Sequence, residues 1–257
     1  MKKIMMVWAL LFTAVFVNAE VNREELFMRI ANQYGGQQEV SGEYEINMLM
    51  MGATMKIPVR FWKKHDRMRM DMEISGPGMP QPMESVMVID SEKMIQYQKA
   101  LNTVIKVDMS GMSSDIKNKM SRQQSFFMPD ANTVENFRQI MDQLEVEEKT
   151  KDGKNFYLIT VRDIDKMGNF TSMYGGQGTQ QFFKKSLLWL NQSTLFPEKM
   201  EFYGEGNTPG MWIDFLEIKT DTIDSSVFNL NIPSDAKVMD MTEAMKSMMG
   251  KVEEAAK

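Results

Sequence analysis

The sequence contains no cysteine and a single histidine, His65. Without thiols, disulfides and thiolate metal centres are excluded, and stability rests on a packed core. With one imidazole, a Cys–His pair is impossible, and a Ser–His–Asp arrangement has one candidate base. That base stands beside Lys63 and Lys64, where a solvated surface histidine is the ordinary reading. No Gly-x-Ser-x-Gly elbow and no Walker loop occurs. Gly175-Gly176-Gln177-Gly178 lacks the strand-to-helix setting of a dinucleotide loop. Asp163-Ile164-Asp165-Lys166-Met167-Gly168 opens like a calcium loop. Met167 and Tyr174, however, stand where oxygen ligands are needed. No pair of carboxylates is singled out for acid–base work. The expectation is therefore no catalytic residue, no cofactor, no metal and no enzymatic activity. The net charge of −5 offers no electrostatic attraction to nucleic acid, which is not expected as a partner.

Long apolar runs are also scarce. One exists, Ile4 to Val17, behind the basic start Met1-Lys2-Lys3 and ahead of Val17-Asn18-Ala19. That is the pattern of a secretory signal cleaved after Ala19. The run is short for a membrane span, so an uncleaved anchor is the lesser alternative. No second such run follows, and no cysteine is available for a lipid-modified N-terminus. An exported, periplasmic protein is expected.

What is present is mostly alternation. Asn22 with Glu25 forms a capping box, Val21 and Leu26 take the staple positions, and Leu26, Phe27, Ile30, Ala31 and Tyr34 mark one helical face. The period then changes to two. Tyr44, Ile46, Met48 and Met50 alternate with polar residues, as do Met55, Ile57, Val59 and Phe61, and then Met68, Met70 and Met72. Shorter strands are expected at Ser85–Ile89, Met94–Gln98 and Thr103–Val107. Residues 109–142 lack alternation and read as helical cover over the sheet, with Phe126 and Phe127 in it. Strands resume at Leu144–Glu148 and Phe156–Val161, joined across Lys151-Asp152-Gly153. Residues 165–181 read as a long loop. Leu187–Leu190, Lys199–Tyr203, Met211–Ile218 and Phe228–Ile232 complete the strands. A tail helix follows, with Asp240 and Glu243 spaced as a capping box and Met241, Met245, Met248 and Met249 in its apolar stripe. No linker divides the chain.

Methionine is unusually abundant, 29 residues. Three readings compete. Unbranched Met fills gaps in cores, and it also makes apolar surfaces that re-pack around ligands of variable shape. Thioethers also select Cu(I), and Met48-x-Met50, Met68-x-Met70-x-Met72 and Met109-x-x-Met112 have suitable spacing. Alternation puts the strand methionines on a buried face without His or Cys, so copper ranks third.

Four segments carry a family resemblance. They are Phe61-Trp-Lys-Lys-His-Asp-Arg-Met-Arg-Met-Asp, Val88-Ile-Asp-Ser-Glu-Lys-Met-Ile-Gln-Tyr, Leu188-Trp-Leu-Asn-Gln-Ser-Thr-Leu-Phe-Pro-Glu-Lys-Met-Glu-Phe and Val227-Phe-Asn-Leu-Asn-Ile-Pro. In this order, behind an amphipathic helix, they resemble the LolA-like family, the periplasmic carriers that sort lipoproteins to the bacterial outer membrane. His65 stands where that family usually has Pro, and Met70 where it has an aromatic. The resemblance implies a mainly β (α+β) fold, an incomplete, strongly curved antiparallel barrel with covering helices. It also implies acyl-chain cargo, an inner-membrane release complex, an outer-membrane acceptor, and a lid-binding role for Arg69. Strand parity points Arg69 away from the methionines, a conflict that only a bulge would remove.

The resulting division is a signal peptide, 1–19; a LolA-like half-barrel domain, 20–240; and a Met-rich amphipathic helix, 241–257. The expected function is a carrier or chaperone that binds lipid or lipoprotein acyl chains and transfers them toward the outer membrane. A sensor of envelope lipids or lipoproteins on the same fold is the alternative, and a Met-based Cu(I) protein the third. The apolar cavity is expected to use Met48, Met50, Met68, Met70, Met200, Phe202 and Trp212. Arg69, Phe126, Phe127, Met245 and Met248 are the expected lid or gating residues.

The signal reading has a direct check. Envelope protein should give an N-terminal sequence beginning at Glu20; recovery of a chain that retains Met1 refutes it.

Overall fold

The structure is a computed structural model that describes residues 21–34, 39–50, 52–76, 79, 81–112, 144–162 and 183–247. The signal segment, residues 113–142 of the expected cover, the 165–181 loop and residues 248–257 lie outside the described residues.

Helix α1 spans Arg23–Tyr34. Asn22 caps it as expected, its side-chain oxygen accepting from the Glu25 amide at 3.1 Å. Leu26, Phe27 and Ile30 form the buried face, and Val21 packs beside them. The strands are β1 (Glu39–Met50), β2 (Ala53–Lys64), β3 (Arg67–Ile74), β4 (Met83–Ile89), β5 (Lys93–Gln98), β6 (Thr103–Asp108), β7 (Leu144–Lys151), β8 (Lys154–Arg162), β9 (Lys185–Asn191), β10 (Pro197–Tyr203), β11 (Pro209–Lys219) and β12 (Lys237–Asp240). They make one 12-stranded sheet in the order β12-β6-β5-β4-β3-β2-β1-β11-β10-β9-β8-β7. Its outer strands do not pair with each other, so the sheet is open. The chain runs from β1 outward to β6, resumes at the far edge with β7 and returns inward to β11. There β11 pairs with β1, from Ser41 opposite Lys219 to Met48 opposite Met211.

Three tight turns show why these residues connect the strands. The β7–β8 turn has positive φ at Asp152 (52°) and Gly153 (75°), as a two-residue hairpin needs. The β2–β3 turn holds His65 at φ 54°. Proline is locked near −65°, so it could not stand here. Between β9 and β10 the Asn191 side chain accepts from the Ser193 amide (2.9 Å) and the Thr194 amide (3.2 Å).

One expectation about the last part is corrected. Phe228–Ile232 is not a strand. Asp224 caps a 3-10 turn at Ser225–Phe228, and Phe228 is buried with Ile223 and Val88 in a small patch that also takes Trp62, Val227 and Leu230. The last strand is instead β12, exposed along its length and parallel to β6. The tail is helical at 242–247 among the described residues, and Asp240 accepts from the Thr242 amide at its start (2.9 Å).

Because opposed residues share a face, the register sorts every side chain. One face carries Tyr44, Ile46, Ile57, Val59, Phe61, Met68, Met200, Phe202, Met211 and Ile213, all buried. Burying each large apolar side chain stabilises by about 1.5–3 kcal/mol before ordering costs. Helix α1 lies on this face at its β7–β9 end, against Leu144, Ile159, Val161 and Leu190. The other face carries charge over β1–β3 and closes its own small patch toward β4.

The seam between β1 and β11 leaves no room at Gly42. A Cβ there would stand 2.2 Å from the Glu217 carbonyl oxygen and 2.9 Å from the Phe61 ring. Gly42→Ala should therefore lower unfolding stability by about 3 kcal/mol, read as a shifted urea midpoint. An unchanged midpoint would show that the strands part easily there.

Candidate functional site

The apolar face is the candidate site. Its centre is Tyr44, whose ring is tilted against Phe61 (centroids 5.7 Å apart) and Phe215 (6.0 Å). The Tyr44 hydroxyl donates toward the Met70 sulfur at 3.9 Å, and burial pushes its phenol well up from the ordinary value. Around this centre, Met48, Met55, Met70, Met72, Ile74, Leu188 and Phe215 are half-buried. They bring flexible thioethers and aliphatic tips onto a layer of fully buried neighbours. Phe183 closes on Phe202 from beside β10, with ring centroids 5.7 Å apart. Toward β4 and β5 the face turns mildly polar but stays uncharged: Gln96 donates to the buried Ser85 hydroxyl at 2.9 Å. Beyond that pair a second apolar group gathers Ile89, Val107, Met109 and Met112, with Met87, Met94 and Met245 against it.

The expected residues divide as follows. Met48, Met68, Met70, Met200 and Phe202 come together on the apolar face. Met50 shares their strand parity but sits at the strand end, 52% exposed. Trp212 belongs to the opposite face. It pairs with Asn47, and its indole donates to Asp214 at 3.0 Å. Both parities of Met211–Leu216 are bulky and apolar, and only Asp214 marks the outward one. Tyr44, Ile46, Ile57, Phe61, Met211 and Ile213 were missing from the expected site. The strict alternation of β1 and β2 was the signal for the first four.

Among the expected lid residues, Arg69 faces away from the site. Its guanidinium holds Asp71 through two bonds (2.6 and 2.8 Å) and donates to the Val227 carbonyl at 2.6 Å, over the Trp62 ring. It ties the segment after β11 to the outer face. No bulge intervenes between β2 and β3, so parity prevails over the lid role. Met245 does lie on the apolar face, at its β5–β6 end. Phe126, Phe127 and Met248 lie outside the described residues. No group of three or more His, Asp or Glu side chains among the described residues is placed to hold a metal.

The outer face has its own order. Asp214 accepts from the buried Asn47 amide (3.1 Å) and from Trp212. Glu201 accepts from the Trp189 indole (2.9 Å) and pairs with Lys199 (3.1 Å). Tyr203 is pushed up to about 12, by burial first and then by the Glu201 charge. A cleft of about 260 Å³ on this side is bordered by Glu43, Arg60, Asp71, Glu73 and Glu84 and mixes both charges.

Compared with solved structures, the chain is similar to an uncharacterized conserved protein from Thermus thermophilus. The match has 13% identity and a TM-score of 0.50, and it covers 84% of this chain and 98% of that one. It also matches a LolA superfamily protein from Nitrosomonas europaea at 14% identity and a TM-score of 0.32, over 79% of this chain and 97% of that one. A third match is the Pseudomonas aeruginosa MucA/MucB complex, at 13% identity and a TM-score of 0.42, over 81% of this chain and 61% of that one. No family model and no curated protein matches the sequence. At these identities the likeness concerns the fold.

The outer-face network sets a pH dependence. Burial pushes the Glu201 carboxyl up, but the bonds from Trp189 and Lys199 outweigh it and hold the group below its ordinary value. A carboxylate lowered on folding stabilises above its unfolded pKa, and that contribution fades as pH falls through the folded value. Glu201→Gln should unfold earlier than wild type at neutral pH, with the two midpoints converging as pH falls below the ordinary glutamate range. A gap that does not change with pH refutes this role.

Proposed function

We propose that this protein is a non-enzymatic carrier of the cell envelope that holds lipid or lipoprotein acyl chains on its apolar face. The observation that carries the reading is the composition of that face. A layer of buried aliphatic and aromatic side chains is topped by half-buried methionines, with neutral polar groups at one border. An acyl chain needs a dry surface of adjustable shape, and it gains about 0.8 kcal/mol per buried methylene. Methionine supplies the adjustment, since three rotatable bonds and a polarizable sulfur let it follow different chains. In this reading the open sheet wraps the ligand as an incomplete barrel. Helix α1 closes one end of the face, and the tail around Met245 covers the other and moves when cargo is released toward the outer membrane. An exported location suits such cargo, as does the LolA-like resemblance of the motifs.

An apolar fluorescent probe should bind the mature protein and be displaced by fatty acid or lysolipid. Met70→Glu places a carboxylate on the apolar face, beside the Tyr44 hydroxyl, and should weaken probe binding about 30-fold or more. Met50→Glu, at the exposed end, should weaken it less. Unchanged affinity in a folded Met70→Glu variant refutes the assignment of the face. Protein isolated from its own envelope should carry lipid or lipoprotein. Co-purification with a membrane regulator and no lipid overturns the carrier in favour of a sensor.

A further inference from the structure

We propose that the thioethers of Met48, Met55 and Met79, gathered at one end of the sheet, form a binding site for the soft monovalent cation Cu(I). The three come from different segments. Met48 and Met55 are opposed across the β1–β2 hairpin, on the same face. Met79 lies beyond β3, where an isolated pairing of Lys56 with Ser75 brings the chain beside the start of β2. Gly76 lies beside the point where they meet. The sulfurs of Met55 and Met79 stand 3.4 and 3.8 Å from the point a Gly76 Cβ would occupy. Both sulfurs therefore approach one small volume beside the Gly76 backbone.

The chemistry of this donor set is selective. Thioethers are neutral and soft, so they suit Cu(I) and discriminate against the hard ions that carboxylates prefer. The end is open to solvent, with Met79 38% exposed and Met50 and Met83, at 52% and 41%, around it. An ion can enter without unfolding the sheet. The only imidazole, His65, is in the turn at the other end of β2. Spacing within single strands pointed elsewhere in the sequence, to Met48-x-Met50 and Met68-x-Met70-x-Met72. Alternate residues of a strand lie side by side along one face, whereas this group is assembled across a hairpin and a loop.

Anaerobic titration of the mature protein with Cu(I), in competition with a chromophoric Cu(I) chelator, tests the site. Native mass spectrometry should show one ion per chain, and X-ray absorption a shell of sulfur only. Leucine keeps the volume and the apolar character of methionine, so Met55→Leu and Met79→Leu should fold normally. Each should weaken Cu(I) binding about tenfold, and the double variant about 100-fold. Met200→Leu, within the buried layer, should bind as wild type does. Failure of the wild-type protein to compete with the chelator overturns the proposal. So does a folded Met55→Leu/Met79→Leu variant with undiminished affinity, or equal weakening by Met200→Leu.

Discussion

The pairing of β1 with β11 is the contact on which the remaining architecture depends. Each half of the chain is a run of neighbouring hairpins, β1 to β6 and β7 to β11. Only the ladder from Ser41–Lys219 to Met48–Met211 makes them one surface. Tyr44 shows the effect most directly, since its ring meets Phe61 from the first half and Phe215 from the second. The seam is also where geometry is least forgiving. Gly42 lies under the Phe61 ring, and the register slips by one residue after Glu43, leaving Leu216 outside the ladder and exposed. Without that slip, β11 would turn either Ile213 or Glu217 to the wrong side.

From the seam follows a molecule with two unlike faces. The apolar face has a buried set of β-branched, aromatic and methionine side chains, with Met48, Met55, Met70 and Met72 half-buried against it. The other face satisfies its charges internally, through Arg69 with Asp71, Lys64 with Glu39 (3.1 Å), and Glu201 with Lys199. Those pairs are partly solvent-exposed and individually weak, but several also fix backbone. Lys64 donates to the Ile223 carbonyl at 2.7 Å, and Arg69 donates to that of Val227. The outer charges thus hold the crossing segment that closes the patch of Val88, Ile223 and Phe228.

How much of this was legible follows from the range of the interactions involved. Alternation is local, and it placed the strands from β1 to β11 and the inward set of β1 to β3. Capping is local too, and Asn22 and Asp152-Gly153 did what their chemistry indicates. Trp212 was misassigned because β11 carries bulky residues on both parities, and its true partner, Asn47, is distant in sequence. Strand β12 has no inward face to alternate, being exposed at all four residues, and it exists only because β6 offers an edge. Phe228, Leu230 and Ile232 mimic a strand, yet Phe228 and Leu230 pack on Trp62 and Val88 from an irregular segment. For Arg69 the parity of the sequence and the family resemblance disagreed, and the structure follows parity.

The order in which the chain supplies its strands has a kinetic consequence. Strands β1 to β6 precede the whole second half, so β1 has its hairpin partner early while its other edge waits for the last long strand. Until β11 arrives, that edge presents unpaired amides and carbonyls beside Tyr44, Ile46 and Met48, an invitation to pair with another chain. Long-range pairing of this kind forms slowly. The interval between the making of β1 and the arrival of β11, rather than the stability of the finished sheet, is therefore the period in which this protein is most exposed to aggregation.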